Sequence, residues 1–514
     1  MDFKVNHELI PLTEVIYDGI QEQSIELDYI LPDYYPDIFR LVKCETIPHI
    51  VSYNLTDDMV SYELCADINI LYCSEGSSQL NVIKQKFTYS KTLEARKGGA
   101  NPEISLKPKV DYVNCRVVNQ RRLDIRGVVT TKIKAINEKS QEMICDAYGL
   151  NVQMKKCPVE YALGKLSASK IVNITEETEL GTSKPPIIAI VKSYAVIRDG
   201  DKKIIANKLV AKGSAEINVL YSCEISGQPS METMKFTVPY SQILDINGLD
   251  ETYRCYVKTD TVTCDVVPMA DKDGNMTKLQ CELAIWISCS AVKTAHAELI
   301  TDIYSTRHPC EFSLSKVRIS QTPVPVNEQV HARCSVDNNA SKVYDIWCNP
   351  GNAAVRIDED QKEVYINGMV QYAVMMQNEE GMPVFVEKDG AYEHKIGLES
   401  IEKGSSFEAD IKIEGCTYNL SSNGSIIIDA DILICGKLYK SSEIEAVTAI
   451  DINADEIKPK EGDYAIKLYF GTEGESVWNI ARKYSTSVKA VMEENDLYDE
   501  KLTGNSMLLI PIVN

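Results

Sequence analysis

A strand-like pattern that returns three times constrains this chain more than any other feature of it. Residues 61–73 read SYELCADINILYC, with Tyr62, Leu64, Ala66, Ile68, Ile70 and Tyr72 alternating against Glu63, Asp67 and Asn69. A period of two puts those apolar side chains on one face of an extended strand. The pattern recurs at 211–221, AKGSAEINVLY, through Ala215, Ile217, Val219 and Tyr221. It recurs again at 366–376, INGMVQYAVMM, through Gly368, Val370, Tyr372, Val374 and Met376. Downstream, Lys86-Phe87-Thr88 before Tyr89-Ser90 reappears as Lys235-Phe236-Thr237 before Tyr240-Ser241. Each copy then closes on two strand-like runs. In the first, 111–118 leads into 123–133; the second and third pass through Asp273-Gly274 and Asn423-Gly424. Such dipeptides tolerate the positive φ of a tight hairpin.

Blocks that recur about every 150 residues are too long for a solenoid, whose unit is roughly 20–50 residues. They predict a mainly β protein of three tandem, antiparallel, sandwich-like repeats near 21–165, 166–315 and 316–450, after an N-terminal lead at 1–20. The length of 514 residues agrees, being too great for one core.

Past Asp451 the sequence turns polar and carries a proline, which predicts a linker at 451–461 and a separate module at 462–514. Ile466 to Phe470 reads as a strand. Ser476 precedes Val477, Ile480, Ala481 and Tyr484, spaced along one helix face with the serine as N-cap. Ser487 precedes Val488, Val491, Met492 and Asn495 in the same spacing, and Met507 to Pro511 closes as a strand. The predicted order is βααβ. Trp478 lies about 100° around the helix from Val477, at the edge of the buried stripe. It reads either as an exposed aromatic anchor or as a side chain packed on the module's own core.

The module resembles a LysM domain. Gly474-Glu475-Ser476-Val477-Trp478-Asn479-Ile480-Ala481 stands for the family's Gly-Asp-Thr-Leu-Trp-x-Ile-Ala entry, Asn495-Asp496-Leu497 for its Asn-x-Leu, and Leu508-Leu509-Ile510-Pro511 for its terminal Leu-x-Ile-Pro. The resemblance implies binding of N-acetylglucosamine glycans such as peptidoglycan, through Gly474, Glu475, Ser476 and Val477 on one loop and Leu497 and Tyr498 on the other. The sequence departs from the family at Glu475-Ser476 and at Gly471-Thr472-Glu473.

Near the N-terminus, Leu31-Pro32-Asp33-Tyr34-Tyr35-Pro36-Asp37-Ile38-Phe39-Arg40 resembles the start of a SPOCS domain. With the repeats and the terminal module, it makes the chain similar to SipL-type spore coat proteins. The motif is clearest in the first repeat; Pro185-Pro186-Ile187-Ile188 is its nearest trace in the second. The resemblance implies a morphogenetic scaffold in the mother-cell cytoplasm at the forespore surface. It also implies that the LysM module, Trp478 included, engages a coat-basement ATPase, with other coat proteins and self-association as further contacts. A peptidoglycan-binding protein is the alternative.

Composition and motifs narrow the rest. A net charge of −21 opposes binding to nucleic acid phosphates. The first residues lack a secretory signal, and no run approaches the roughly 20 apolar residues of a transmembrane helix. The sixteen cysteines, none in Cys-x-x-Cys, read as reduced and largely buried thiols. Neither Gly-x-x-x-x-Gly-Lys-Ser/Thr, Gly-x-Ser-x-Gly nor His-Glu-x-x-His occurs, so no catalytic set, cofactor or metal is expected. His308-Pro309-Cys310, with His296 upstream, is the densest His/Cys group and reads as surface residues in an interdomain connection rather than as a metal site. Asp33 and Asp37 read as solvating or capping a turn fixed by Pro32 and Pro36 rather than as a carboxylate pair or cation site.

Overall fold

The computed structural model describes residues 3–511 apart from 57, 97–102, 338–339, 422–424 and 460–464. The expected turn at Asn423-Gly424 lies outside the described residues. In the first repeat the strands are β1 (Lys4–Ile30), β2 (Arg40–Leu55), β3 (Met59–Cys73), β4 (Leu80–Glu94), β5 (Glu103–Asn119) and β6 (Arg122–Tyr148). The second has β7 (Val152–Glu179), β8 (Ala189–Ile205), β9 (Lys208–Ile225), β10 (Gln228–Asp245), β11 (Arg254–Ala270) and β12 (Met276–Ser305). The third has β13 (Cys310–Ser320), β14 (Val324–Val336), β15 (Lys342–Asp358), β16 (Glu363–Gln377), β17 (Pro383–Gly397), β18 (Ser406–Leu420), β19 (Ile426–Tyr439) and β20 (Ser441–Ile452).

Each repeat stacks two antiparallel three-stranded sheets. The pairs are β1-β6-β5 on β2-β3-β4, β11-β12-β7 on β10-β9-β8, and β14-β19-β18 on β15-β16-β17. The alternating residues of the recurring pattern face the space between the sheets. Tyr62, Leu64, Ile68, Ile70 and Tyr72 are all buried in the first core, Ile217, Val219 and Tyr221 in the second, and Val370, Tyr372 and Val374 in the third.

At the ends of β3, β9 and β16 the alternation gives way to consecutive apolar residues, as in Leu71-Tyr72-Cys73, Leu220-Tyr221 and Met375-Met376. Both faces are covered there. Leu71, Cys73, Leu220, Trp347, Ala373 and Met375 point away from their own sandwiches into one cluster shared by all three repeats. Ion pairs flank it: Lys192 with Glu45 at 2.9 Å and Lys43 with Glu387 at 2.5 Å.

The glycines in the recurring pattern have a packing reason. Gly213 lies opposite Tyr240, and Gly368 opposite Tyr392, across neighbouring strands. A Cβ on Gly368 would come within 2.3 Å of the Tyr392 ring, and one on Gly213 within 2.4 Å of the Tyr240 hydroxyl. The aromatic ring covers the bare backbone.

Four strands are far longer than a sandwich needs. β1 and β6 stay paired over the length of β1, whereas β5 accompanies β6 only to Ile136. β7 and β12 likewise continue together beyond the end of β11. Outside the sandwiches these pairs run on as two-stranded ribbons, and β13 with β20 forms a third. Register shifts mark the passage, between Val15 and Tyr17 on β1 and between Ala291 and Lys293 on β12. Such bulges re-aim a strand. The three ribbons pack into a stem around Ile10, Met143, Tyr161, Leu299, Ile319 and Ala446, with a second cluster at Ile144, Ile303 and Val447.

The stem corrects the expected domain boundaries. Residues 4–20, expected as a lead, belong to β1; 165/166 falls within β7, 315/316 within β13, and 450/451 within β20. Asp451 and Ile452, expected in the linker, end β20. The rest of the described linker lies against the stem: Lys458 Nζ donates to the Ser305 carbonyl at 2.7 Å, and its backbone N–H to that of Arg307.

The C-terminal module consists of β21 (Ile466–Gly471), α1 (Val477–Lys483), α2 (Val488–Glu494) and β22 (Ser506–Pro511), the two strands pairing antiparallel. Ser487 caps α2 by accepting from the Ala490 N–H at 3.1 Å. Ser476 occupies the N-cap position of α1 without a side-chain cap bond.

Candidate binding interface

The module has three surfaces with different fates. The first faces the stem. Trp478, 7% exposed, packs edge-on against Tyr304 of β12, ring centroids 5.1 Å apart. Its indole N–H donates to Asp302, which also accepts from Arg482 at 2.8 Å. The Tyr304 hydroxyl donates to the Thr486 carbonyl at 2.7 Å, and Arg482 lies over the Phe312 ring. Trp478 therefore packs on the module's core and on the stem at once, and it is not an exposed anchor. Burial and the neighbouring Asp302 carboxylate push the Tyr304 phenol well above its ordinary pKa.

The second surface is the rim that carries the other expected binding residues. Four backbone hydrogen bonds or bridges lace its two loops together. Gly474 N–H donates to Leu502, Leu502 N–H to Glu475, Val477 N–H to Glu500, and Ser476 bridges Lys501. Gly474 turns the first loop with φ +81°. The Glu475 carboxylate folds inward, accepting from the Tyr469 hydroxyl at 2.6 Å and the Thr472 N–H at 3.2 Å. The Tyr469 bond holds that carboxyl below its ordinary range and lifts the Tyr469 phenol to about 12. Val477 is buried, Leu497 is partly buried, and Tyr498 is 94% exposed. Gly474, Glu475 and Ser476 thus stand beside the 500–502 segment. Exposed Glu473, Asp496, Asp499 and Glu500 make the rim acidic.

The third surface is the outer face of the sheet, which sequence reasoning missed. Leu468 opposes Leu509, and Phe470 opposes Met507. These side chains point away from the helices, with Leu468 64%, Phe470 65% and Met507 65% exposed. Ile466 extends the same apolar strip. The signal was present: Ile466, Leu468 and Phe470 alternate with Lys467 and Tyr469, so one face of a two-faced strand had to lie outside the module's small core.

The other candidate residues are dispersed or occupied. Arg121 clamps the Pro32–Asp37 turn. Its guanidinium donates to Asp37 at 2.5 Å and to the carbonyls of Leu31 and Pro32 at 3.1 and 2.8 Å, with Asp33 at 3.7 Å. The turn is shared with the second repeat: the Tyr72 hydroxyl donates to the Pro36 carbonyl, and the Tyr221 hydroxyl to that of Pro185. His308 is buried against the linker, its Nδ1 2.8 Å from the Glu456 carbonyl, while His296 lies on β12 opposite Glu160. They do not converge.

Two family models match the chain. Residues 186–267 match the SipL, SPOCS domain, and residues 472–511 match the LysM domain. The first match falls on the second repeat, beginning in the Pro185-Pro186 turn, although the motif is easier to read in the first. No curated protein and no solved structure matches. The chain thus carries one stretch similar to a SPOCS domain and one similar to a LysM domain, the two families that its proline-rich motif and its terminal module resemble. Among the described residues no helix is long and apolar enough to cross a membrane.

Proposed function

We propose that this chain is a non-enzymatic scaffold of spore-coat assembly. Its LysM module engages the coat-basement ATPase at the forespore surface, on the mother-cell side, while the β repeats present surfaces for other coat proteins. The observation that carries this reading is the apolar strip Leu468, Phe470, Met507 and Leu509, turned away from the stem. Contiguous exposed apolar side chains on a small module suit a protein partner better than a sugar. The acidic rim beside the strip favours a partner with an apolar centre and a basic border.

The test is binding of the full chain to the purified ATPase by biolayer interferometry. Phe470→Asp and Leu468→Asp are expected to weaken binding by about thirtyfold or more, the loss of a hot-spot residue. Unchanged binding in both variants would refute the assignment.

A second reading, glycan binding, is supported by the LysM match and by the two laced loops with Tyr498 standing free. It predicts calorimetric heat on titrating the chain with N-acetylglucosamine oligomers, lost in Tyr498→Ala. A flat titration removes it.

A further inference from the structure

On the outer face of the sheet β2-β3-β4, three side chains of different donor chemistry converge. His49 of β2 lies directly opposite Cys65 of β3, and Asp67 follows on the same face of β3. One donor atom from each lies within 4.8 Å of the other two. Cys65 Sγ is 3.6 Å from Asp67 Oδ1, and His49 Nδ1 is 3.8 Å from Asp67 Oδ2.

These separations approach the edges of a coordination tetrahedron. A zinc–sulfur bond of about 2.3 Å and zinc–nitrogen or zinc–oxygen bonds of about 2.0 Å place neighbouring ligands roughly 3.3–3.5 Å apart. The two separations from Asp67, to different oxygens of its carboxylate, exceed these edges by up to about half an ångström, and the three donor atoms together lie within 4.8 Å, so an ion would draw the side chains inward by rotation. Cys65 is buried, and His49 and Asp67 are partly so. Alongside lies a cavity of about 240 Å³ that Asp67 helps to line, with room for a water.

The cation now beside Asp67 is Lys86, its Nζ 3.9 Å from Asp67 Oδ2. The same ammonium is 3.3 Å from Asp265 of β11 in the second repeat. Lys86 therefore keeps a carboxylate partner when an ion takes Asp67.

We propose that His49, Cys65 and Asp67 form a binding site for a zinc-class divalent ion, with water in the fourth position, where the first repeat meets the second. A mixed nitrogen, sulfur and oxygen set suits zinc or cobalt and disfavours calcium or magnesium. On binding, the Cys65 thiol releases its proton to solvent and the thiolate bonds the ion, with no change of oxidation state.

Cobalt(II) is the probe, titrated into the full chain under reducing conditions. The expected result is a thiolate-to-cobalt charge-transfer band and the d–d bands of a tetrahedral ion, saturating at one equivalent and erased by zinc. Cys65→Ser should remove the charge-transfer band, and His49→Ala should weaken binding by about tenfold or more. Lys86→Met should tighten it about fivefold by removing a competing charge. Near-ultraviolet circular dichroism checks each variant's fold, and Asp67→Asn, expected to weaken binding like His49→Ala, replaces Cys65→Ser if that chain misfolds. Absence of the charge-transfer band in the unaltered chain, its survival in folded Cys65→Ser, or undiminished binding in the replacement Asp67→Asn would overturn the site.

Discussion

The indole N–H of Trp478 donates to Oδ2 of Asp302 across 2.7 Å, joining residues 176 positions apart. Arg482 reaches the same oxygen, so one carboxylate of the stem holds two side chains of α1. Charge-assisted bonds of this kind contribute roughly 1.5–3 kcal/mol each when buried. Asp302→Ala is expected to release the LysM module while leaving both parts folded. Hydrogen–deuterium exchange should quicken over 300–306 and 476–486 and stay slow over 215–223. Unchanged exchange in the first two segments would mean that the docking rests on Tyr304 and the linker instead.

Gly368 carries no side chain because Tyr392 covers it. Gly368→Ala is expected to cost about 1–3 kcal/mol through overpacking, read as a lowered denaturation midpoint. Gly274→Ala has open space around it, and its cost comes from φ +86° instead. Combining Gly368→Ala with Tyr392→Leu should recover part of the loss, whereas Gly274→Ala should gain nothing from the same partner change.

Asp345 lies where the three repeats meet, and burial lifts its carboxyl from 3.8 to about 6. Its folded pKa is above its unfolded one, so its contribution is fully present below about pH 3.8 and is lost as pH rises through about 6. Against the unaltered chain, Asp345→Asn should gain stability across that window. A plateau of about 1–2 kcal/mol above pH 7 is expected, after discounting for partial exposure. Chemical denaturation at stepped pH measures it; parallel curves for the two chains would contradict the assignment.

The sixteen cysteines are free thiols. Burial raises the Cys73 thiol to about 11, so it holds little thiolate at pH 8 and no path to a reagent. Iodoacetamide at pH 8 should leave Cys73 unmodified in the native chain and label it fully in denaturant. Peptide mass spectrometry reads both states, and rapid native labelling would show that the central cluster opens.

The sandwiches were legible because each strand of the recurring pattern buries one face, so the alternation survives in the letters. Helix spacing made the LysM elements equally plain. The stem was not legible. A two-stranded ribbon buries few residues, and the register shift at Asn6 and His7, where Cys145 is the extra residue on β6, breaks the alternation that Val5, Ile10 and Leu12 would otherwise announce. Trp478 could be placed at the edge of its helix's buried stripe, but Asp302 gives no local sign of receiving it. The His49, Cys65 and Asp67 cluster was hidden for a related reason: strand register brings it together, with no spacing that marks a metal motif.

The stem also bears on copy number. An open row of repeats can gain or lose a unit at either end, because each unit needs only its neighbours. Here every repeat sends one ribbon into a bundle whose buried faces are shared three ways. A fourth ribbon could reach the central cluster only by displacing one of the three, because Ile10, Met143, Tyr161, Leu299, Ile319 and Ala446 are already buried among them, and removing one would bare the faces of the remaining two. Variation in this lineage should therefore accumulate in loops, on outward sheet faces and in the appended module, with the number of sandwiches held at three by the cross-section of the stem.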